Sequence, residues 1–449
     1  MTKKVNNLIY GLPEEVSFHR AVEHDSCTEL FISVKEPKER VCPHCGSHAC
    51  VIKDSGRKQT VRHTHVGHQA VILTFPRRRY YCKDCRSTFM QPISWLHPSL
   101  RMTHTLYFEI CYSLMKPLSI KSIAEINCVT ESVVQSVLDT ISFPRPDHLP
   151  ATLIVDELKA DCGEWNPVTH KWDKWSFVTK VTDGDGHFVI DILHATNLSD
   201  LAKYFRKYSA YERQRVKYFC CDMSGSYIAL GKKLFPKASI CIDMFHVIQR
   251  LNKAVDDVRR RLQNQQKKND NDEAYSTLKH ISYDLRTRKN QQFKLWKEDT
   301  SRRLKRLEDA FREFPDLAEV YEMLQDFHDI NDCSGYDAQF EELIPWLQRY
   351  LDSPVEEVAS AATTIDRYKK YIMNSWTYHR SSGTCEGLNN RIKAMKRASF
   401  GVHSFDVFRK RILLACGSTK IVTGTFTIYD NKSHSTAVSV KGGDSHDPR

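Results

Sequence analysis

The 449-residue chain has no stretch approaching the roughly 20 consecutive apolar residues that a membrane helix needs. Its first residues, MTKKVNNLIYGLPEEV, hold two lysines with no apolar run behind them, which argues against a secretory leader. Its 15 cysteines are odd in number, and without a leader they argue against a disulfide framework and for a reducing cytoplasm. No repeat of solenoid period is present. With 41% hydrophobic residues the chain can bury a sizeable core, so a disordered chain is excluded along with a membrane protein and a small secreted scaffold.

What is present is positive charge. Lys and Arg number 66 against 55 Asp and Glu, a formal +11, and such a surplus attracts polyanions, nucleic acid above all.

Two Cys-x-x-Cys pairs, Cys42/Cys45 and Cys82/Cys85, stand out from cysteines such as Cys111, Cys220, Cys221, Cys241 and Cys416, which read as small core residues. In such a turn both thiolates face one point, so each pair supplies two corners of a zinc tetrahedron. Ala70 to Cys82 reads as a strand leading into the second pair, which suits a zinc ribbon. His44, His48, Cys50, His63, His65 and His68 are alternative ligands or surface and packing residues. Arg77, Arg78 and Arg79 form either a solvated basic edge or one that contacts phosphate.

Leu118 to Ile141 has the pattern of a helix-turn-helix. Ile120, Ile123 and Ala124 give one helix an apolar face, Asn127-Cys128-Val129 makes the break, and Thr130 is an N-cap. Val133, Val134, Val137 and Leu138 turn inward on the second helix. Ser132, Gln135 and Ser136, beside Glu131, would then face a DNA major groove. Cys128 stands where glycine is common, and Asn127 where an apolar residue is usual.

From Ala151 the chain alternates strands and helices. A short apolar run ends in Asp156, two strand-like runs follow around the turn Gly184-Asp185-Gly186, and a helix leads to a second buried run ending in Asp222. A helix and a fifth strand, Ala238 onward, complete the series. Three strands in meander, then helix, strand, helix, strand is the ribonuclease-H-like order, in which the first and fourth strands are neighbours. Asp156 and Asp222 would meet at one sheet edge, where two carboxylates favour a hard cation such as Mg²⁺ or Mn²⁺ between them. Two-metal sites of that kind cleave phosphodiesters. Glu386 opens a helix on which Asn389, Asn390, Lys393 and Arg397 follow at helical spacing, so an acid shares a face with amides and cations. Asp243 and His246, three apart, either face that metal site or form a buried hydrogen bond at a helix start. Glu157 is expected to point away from Asp156. Trp165, Trp172 and Trp175 read as packing residues, with stacking on an unpaired base as the alternative.

VDELKA at 155–160, DMSGSY at 222–227, IDMFHVIQRLNKAVDDVRR at 242–260 and CEGLNNRIKAMKRASFGVHSFDVFRKR at 385–411 resemble the DDE transposases of the ISL-three insertion-sequence family. The resemblance spans about residues 40–416. It implies a catalytic triad of Asp156, Asp222 and Glu386, and metal-dependent cleavage and transfer of DNA between terminal inverted repeats. Two ends must be brought together, so a homodimer on double-stranded DNA is expected. The rivals are a transposase-derived DNA-binding regulator without catalysis and a nuclease that cuts without joining.

The expected architecture is α+β and multidomain. A zinc-ribbon segment spans 1–95 and a helix-turn-helix domain 96–147. A ribonuclease-H-like α/β catalytic core spans 148–250, with a helical insertion at 251–380. The core's C-terminal helices lie at 381–416 and a flexible tail at 417–449. Within the insertion, the polar run Gln263 to Glu273 reads as a loop.

Overall fold

The computed structural model describes residues 9–194, 197–380, 386–399, 404–422, 425–428 and 436–437. Most of the expected tail lies outside these residues. The chain is mixed α/β with many helices and divides into two compact units. The first takes the chain up to Arg145, Ala160–Ser176 and everything from Asn389; the second takes Pro146–Lys159 and Phe177–Leu388.

The first unit opens with a sheet of order β1-β2-β4-β3, with β5 on the far side of β4. Its strands are β1 (Val16–Glu23), β2 (Cys27–Val34), β3 (Cys50–Val66), β4 (Gln69–Cys82) and β5 (Thr88–Met90). Leu30, Val61, Leu73 and Phe75 are buried together on its apolar face, as the alternation of β2 and β4 requires. Three helices follow: α1 (His104–Leu114), α2 (Ile120–Ile126) and α3 (Glu131–Thr140).

The second unit is built on a sheet of order β10-β9-β6-β7-β8. The strands are β6 (Thr152–Asn166), β7 (Lys171–Asp183), β8 (Phe188–Leu193), β9 (Tyr218–Cys221) and β10 (Ser239–Ile242). β6, β9 and β10 run parallel, and β8 is antiparallel to β7. The connecting helices are α4 (Leu198–Arg206), α5 (Ala210–Arg215) and α6 (Gly225–Leu234). Asn197 caps α4 through Asp200 N–H. At Gly231 a Cβ would come within 2.8 Å of the Phe219 ring, so glycine lets α6 lie close on β9.

Two expectations about local structure are corrected. β6 does not stop at Asp156 but runs on to Asn166, and its outer half pairs with β7 as a long hairpin. Leu158, Ala160 and Cys162 continue the buried alternation, which carries the strand through Asp161 and Gly163 to Asn166-Pro167. The run from Gln263 is not a loop: α7 (Met244–Lys268) passes through most of it. Gln and Lys are good helix formers, so two polar turns continue past Leu262, the last buried residue of the helix.

Beyond α7 come α8 (Asp272–His280), α9 (Gln292–Trp296), α10 (Thr300–Glu313), α11 (Pro315–Asp332), α12 (Tyr336–Leu351) and α13 (Glu356–Tyr378). Their apolar faces join those of the sheet in one continuous core. On α13, Asn374 donates to Ile240 O at 2.8 Å and Ser375 to Ile242 O at 2.7 Å, which satisfies carbonyls of the edge strand β10. The last helices are α14 (Glu386–Ala398) and α15 (Phe405–Cys416).

Candidate metal centre and active site

Cys42, Cys45, Cys82 and Cys85 place their sulfur atoms within 4.8 Å of one another. The Cys42–Cys85 and Cys45–Cys82 separations are both 3.6 Å, close to the edge of about 3.8 Å in a tetrahedron with zinc–sulfur bonds of 2.3 Å. The two turns are built alike. Cys42 N–H donates to Ser47 O and Cys82 N–H to Ser87 O, both at 2.9 Å, while Gly46 and Arg86 each take positive φ. The 36 residues between the pairs are filled by the β3–β4 hairpin, in which Cys50 pairs with Cys82. Hydrogen bonds from the Ser87 hydroxyl and amide pull the Cys85 thiol down to about 6, towards the thiolate that zinc binds. The donor set fits structural zinc. His63 is committed elsewhere, to Thr103 Oγ1 at 2.9 Å and Tyr10 O at 2.8 Å.

The nearby arginines divide. Arg77 donates to Gln91 O at 2.9 Å and Arg78 lies 3.3 Å from Glu36, so both serve the sheet. Arg79 is exposed, with one bond of 3.0 Å to Thr88.

Helices α2 and α3 close on a core that includes Ile123, Ala124, Val134, Val137 and Leu138, together with Leu414 of α15. Cys128 takes φ of 51°, the left-handed geometry for which glycine is suited. Asn127 is buried, and its amide donates to Ile123 O at 2.8 Å and Ser113 Oγ at 3.2 Å, so a polar residue is satisfied where an apolar one was expected. Ser132 and Ser136 are exposed and Gln135 half-buried on the outer side of α3.

The acidic cluster forms where the parallel strands end. The β6–β9 pairing stops at Ile154–Cys220, so Asp156 leaves its parallel partner two residues later and Asp222 follows β9 directly. Asp243 follows β10 and accepts from Phe245 N–H at 3.1 Å, which caps α7. These three acids and His246 line one small recess. His246 Nε2 is 3.6 Å from Asp156 and 3.9 Å from Asp243, so Asp243 caps the helix while His246 faces Asp156.

Charge is unevenly distributed among them. Burial raises Asp156, but the hydrogen bond from His246 and the charge of Lys180 outweigh it, and the carboxyl ends below its usual range. Asp222 is pushed up to about 6, first by burial and then by the charges of Glu157 and Asp156, against a lowering effect of His246. His246 is raised, chiefly by its bond to Asp156. Asp222 is thus a half-buried acid short of positive charge, and oxygen donors in such a setting fit a hard divalent cation. Lys180 on β7 was missed in the sequence, because a lone lysine in a strand gives no signal. Glu157, expected to point away, acts electrostatically on Asp222.

Glu386 begins α14, and its side chain lies outside those described. Asn390, Lys393 and Arg397 are exposed at i, i+3 and i+7, opposite buried Ile392 and Met395. Trp165 and Trp172 meet edge to face at 5.9 Å near the hairpin tip; the side chain of Trp175 is not described.

Comparison with known proteins gives two family matches. Residues 169–412 match a family model described as a transposase, and residues 38–85 match the zinc-finger of transposases IS204, IS1001, IS1096 and IS1165. Asp222 and Glu386 fall within the first span, and Asp156 lies upstream of it. Among curated proteins, the transposase for insertion sequence element IS1001 of Bordetella parapertussis is 23% identical over 385 residues, 84% of this chain and 89% of that one.

Proposed function

This chain belongs to the ISL3 family of DDE transposases, and from that premise we propose that it binds the terminal inverted repeats of an insertion sequence and cuts and joins DNA at Asp156, Asp222 and Glu386. The observation that carries this reading is the convergence of Asp156 and Asp222 in one recess where the parallel pairing of β6 and β9 stops. That strand order supports a ribonuclease-H-like core, with 251–380 as an insertion within it.

Mg²⁺ or Mn²⁺ held by the three carboxylates would supply the charge that activates water or a 3′-hydroxyl and steadies the leaving oxygen. The chain's own residues do the positioning. Lys180 and His246 hold Asp156 ionised, and Asp243 fixes the turn that carries His246. Asn390, Lys393 and Arg397 offer amide and cationic contacts for the DNA backbone on the helix that Glu386 begins, and Arg79 offers another beside the zinc ribbon. Helices α2 and α3 act as the helix-turn-helix, with Ser132, Gln135 and Ser136 towards the major groove. A homodimer joins two element ends before transfer to target DNA.

The test is a cleavage and joining assay on the gene's own flanking DNA with Mg²⁺, wild type beside Glu386→Gln. Discrete nicks and joined products lost in the variant are expected. Tight binding without cutting by the wild type, in Mg²⁺ and in Mn²⁺, would favour a regulator instead.

A further inference from the structure

Charge in the helical insertion is segregated along the chain. Lys279 to Arg306 holds ten Lys and Arg against three Asp and Glu, whereas residues 311–360 hold two against thirteen. The middle of the basic part, residues 281–299, is mostly not regular helix. It is a series of short 3₁₀ turns around the five-residue α9. A segment of this kind is fixed only by specific anchors, and these are present. Gln325, buried on α11, accepts from Lys289 N–H at 2.9 Å and donates to Thr287 O at 3.3 Å. Buried Gln292 donates to Tyr321 Oη at 2.9 Å.

What the anchored segment turns outward is the unexpected part. Phe293 is 75% exposed, Tyr283 54% and Leu295 49%. The guanidinium of Arg303 lies 6.0 Å from the Tyr283 ring and 5.9 Å from that of Trp296, which draws Tyr283 and α9 to one place. Two of the three acids there are neutralised: Asp284 is buried against Arg303 and Arg306, and Asp299 pairs with Arg302 at 3.1 Å, while Glu298 is exposed next to Lys297. Lys294 and Lys297 are exposed, and no ion pair to either is found among the described residues. The surface therefore combines an excess of cations with open aromatic faces. A folded chain has no internal reason to leave three large apolar side chains out among lysines, whereas a nucleic acid strand offers phosphates for the cations and base faces for the rings.

We propose that this surface of the insertion is a sequence-independent binding site for single-stranded DNA, in which Lys294 and Lys297 contact phosphates and Phe293 stacks on an unpaired base. The site shares no residue with the acidic cluster or with α3. It suits the frayed strand that cutting at an element end would expose, and in that respect it rests on the proposed function.

The experiment is anisotropy titration of a fluorescent single strand of random sequence, and of the matching duplex, with the full chain and without divalent metal. Phe293→Ala should weaken single-strand binding about tenfold and leave the duplex nearly unchanged. Lys294→Ala with Lys297→Ala should lower the slope of log affinity against log salt by about 1.4, at about 0.7 per phosphate contact. The thermal midpoint of each variant checks that it is folded. Wild-type affinity and slope in both variants would overturn the proposal. So would an equal loss on duplex and single strand for Phe293→Ala, or self-association controlled by these residues with DNA binding unaffected. A random strand without metal reports neither repeat recognition nor cleavage. A chain that binds it through these residues but never cuts would refute the proposed function and leave this inference standing; the converse result would do the reverse.

Discussion

The ammonium of Lys180 stands 3.4 Å from Oδ2 of Asp156, and the Lys180 side chain is wholly shielded from solvent. A fixed cation therefore occupies one side of the carboxylate that the family reading assigns to metal. Burying a charge is costly without a partner, so the pair is mutually dependent. Lys180→Met should tighten Mn²⁺ binding to the DNA-free protein several-fold, since the built-in charge no longer competes. Titration followed by Mn²⁺ electron paramagnetic resonance checks it; unchanged or weaker binding would mean that Lys180 only orients Asp156.

Asp222 should separate chemistry from binding. Asp222→Asn is expected to abolish cleavage and to leave end binding intact, read by gel shift and nicking on the same DNA. The carboxyl is raised to about 6, above its unfolded value. The folded state then holds the proton more tightly, so stability falls as pH rises from about 4 to 6, and the cost is complete above that. In metal-free buffer Asp222→Asn should therefore stabilise the chain at pH 8, by about 1–2 kcal/mol after allowance for partial solvent screening, and have little effect at pH 4. Urea midpoints at the two pH values test the sign.

Cys128 sits at φ of 51°, where a side chain costs roughly 1 kcal/mol. Cys128→Gly should raise the thermal midpoint by an amount equivalent to about 0.5–1 kcal/mol, once the extra freedom of glycine in the unfolded chain is subtracted. Cys128→Val should lower it. Binding to the terminal repeats should not change with glycine.

Zinc removal should affect the first unit selectively. Elemental analysis should find one zinc per chain, and Cys82→Ser should lose it. The β3–β4 hairpin meets the cluster at Cys50 and Cys82, so amide exchange there should accelerate, while exchange in β9 and β10 should stay slow. Equal acceleration in both places would contradict this.

His97 in the first unit and His328 in the second are each lowered to about 4, chiefly by burial. His104 adds its charge at His97; at His328 the charge of Arg288 adds to the lowering and that of Asp332 opposes it. The unfolded chain binds these protons more readily, so stability is complete above about pH 6.5 and is lost as pH falls towards 4. Each site should contribute on the order of 2 kcal/mol to that loss. Replacing His328 by Gln should flatten the acid limb of the stability curve measured with urea.

The sequence alone determined the features that local chemistry encodes. The spacing of Cys42, Cys45, Cys82 and Cys85 fixed a zinc ribbon, because two Cys-x-x-Cys turns have few other uses. The period of Ile123, Ala124, Val134 and Val137 gave two helices and their inner faces, and the apolar runs before Asp156 and Asp222 gave the strands that carry them. Tertiary structure alone decided the rest, because strand neighbours are set by pairing between distant segments. It carried β6 ten residues past Asp156, since the buried alternation of Leu158, Ala160 and Cys162 continued through Asp161 and Gly163. It put Lys180 beside one oxygen of Asp156 and His246 beside the other, although they lie 24 and 90 residues away in the chain. It kept Gln263 to Lys268 helical, where polarity alone suggested a loop. The open aromatic rings beside Lys294 follow the same rule: composition shows the charge, and only the fold decides which side chains remain outside.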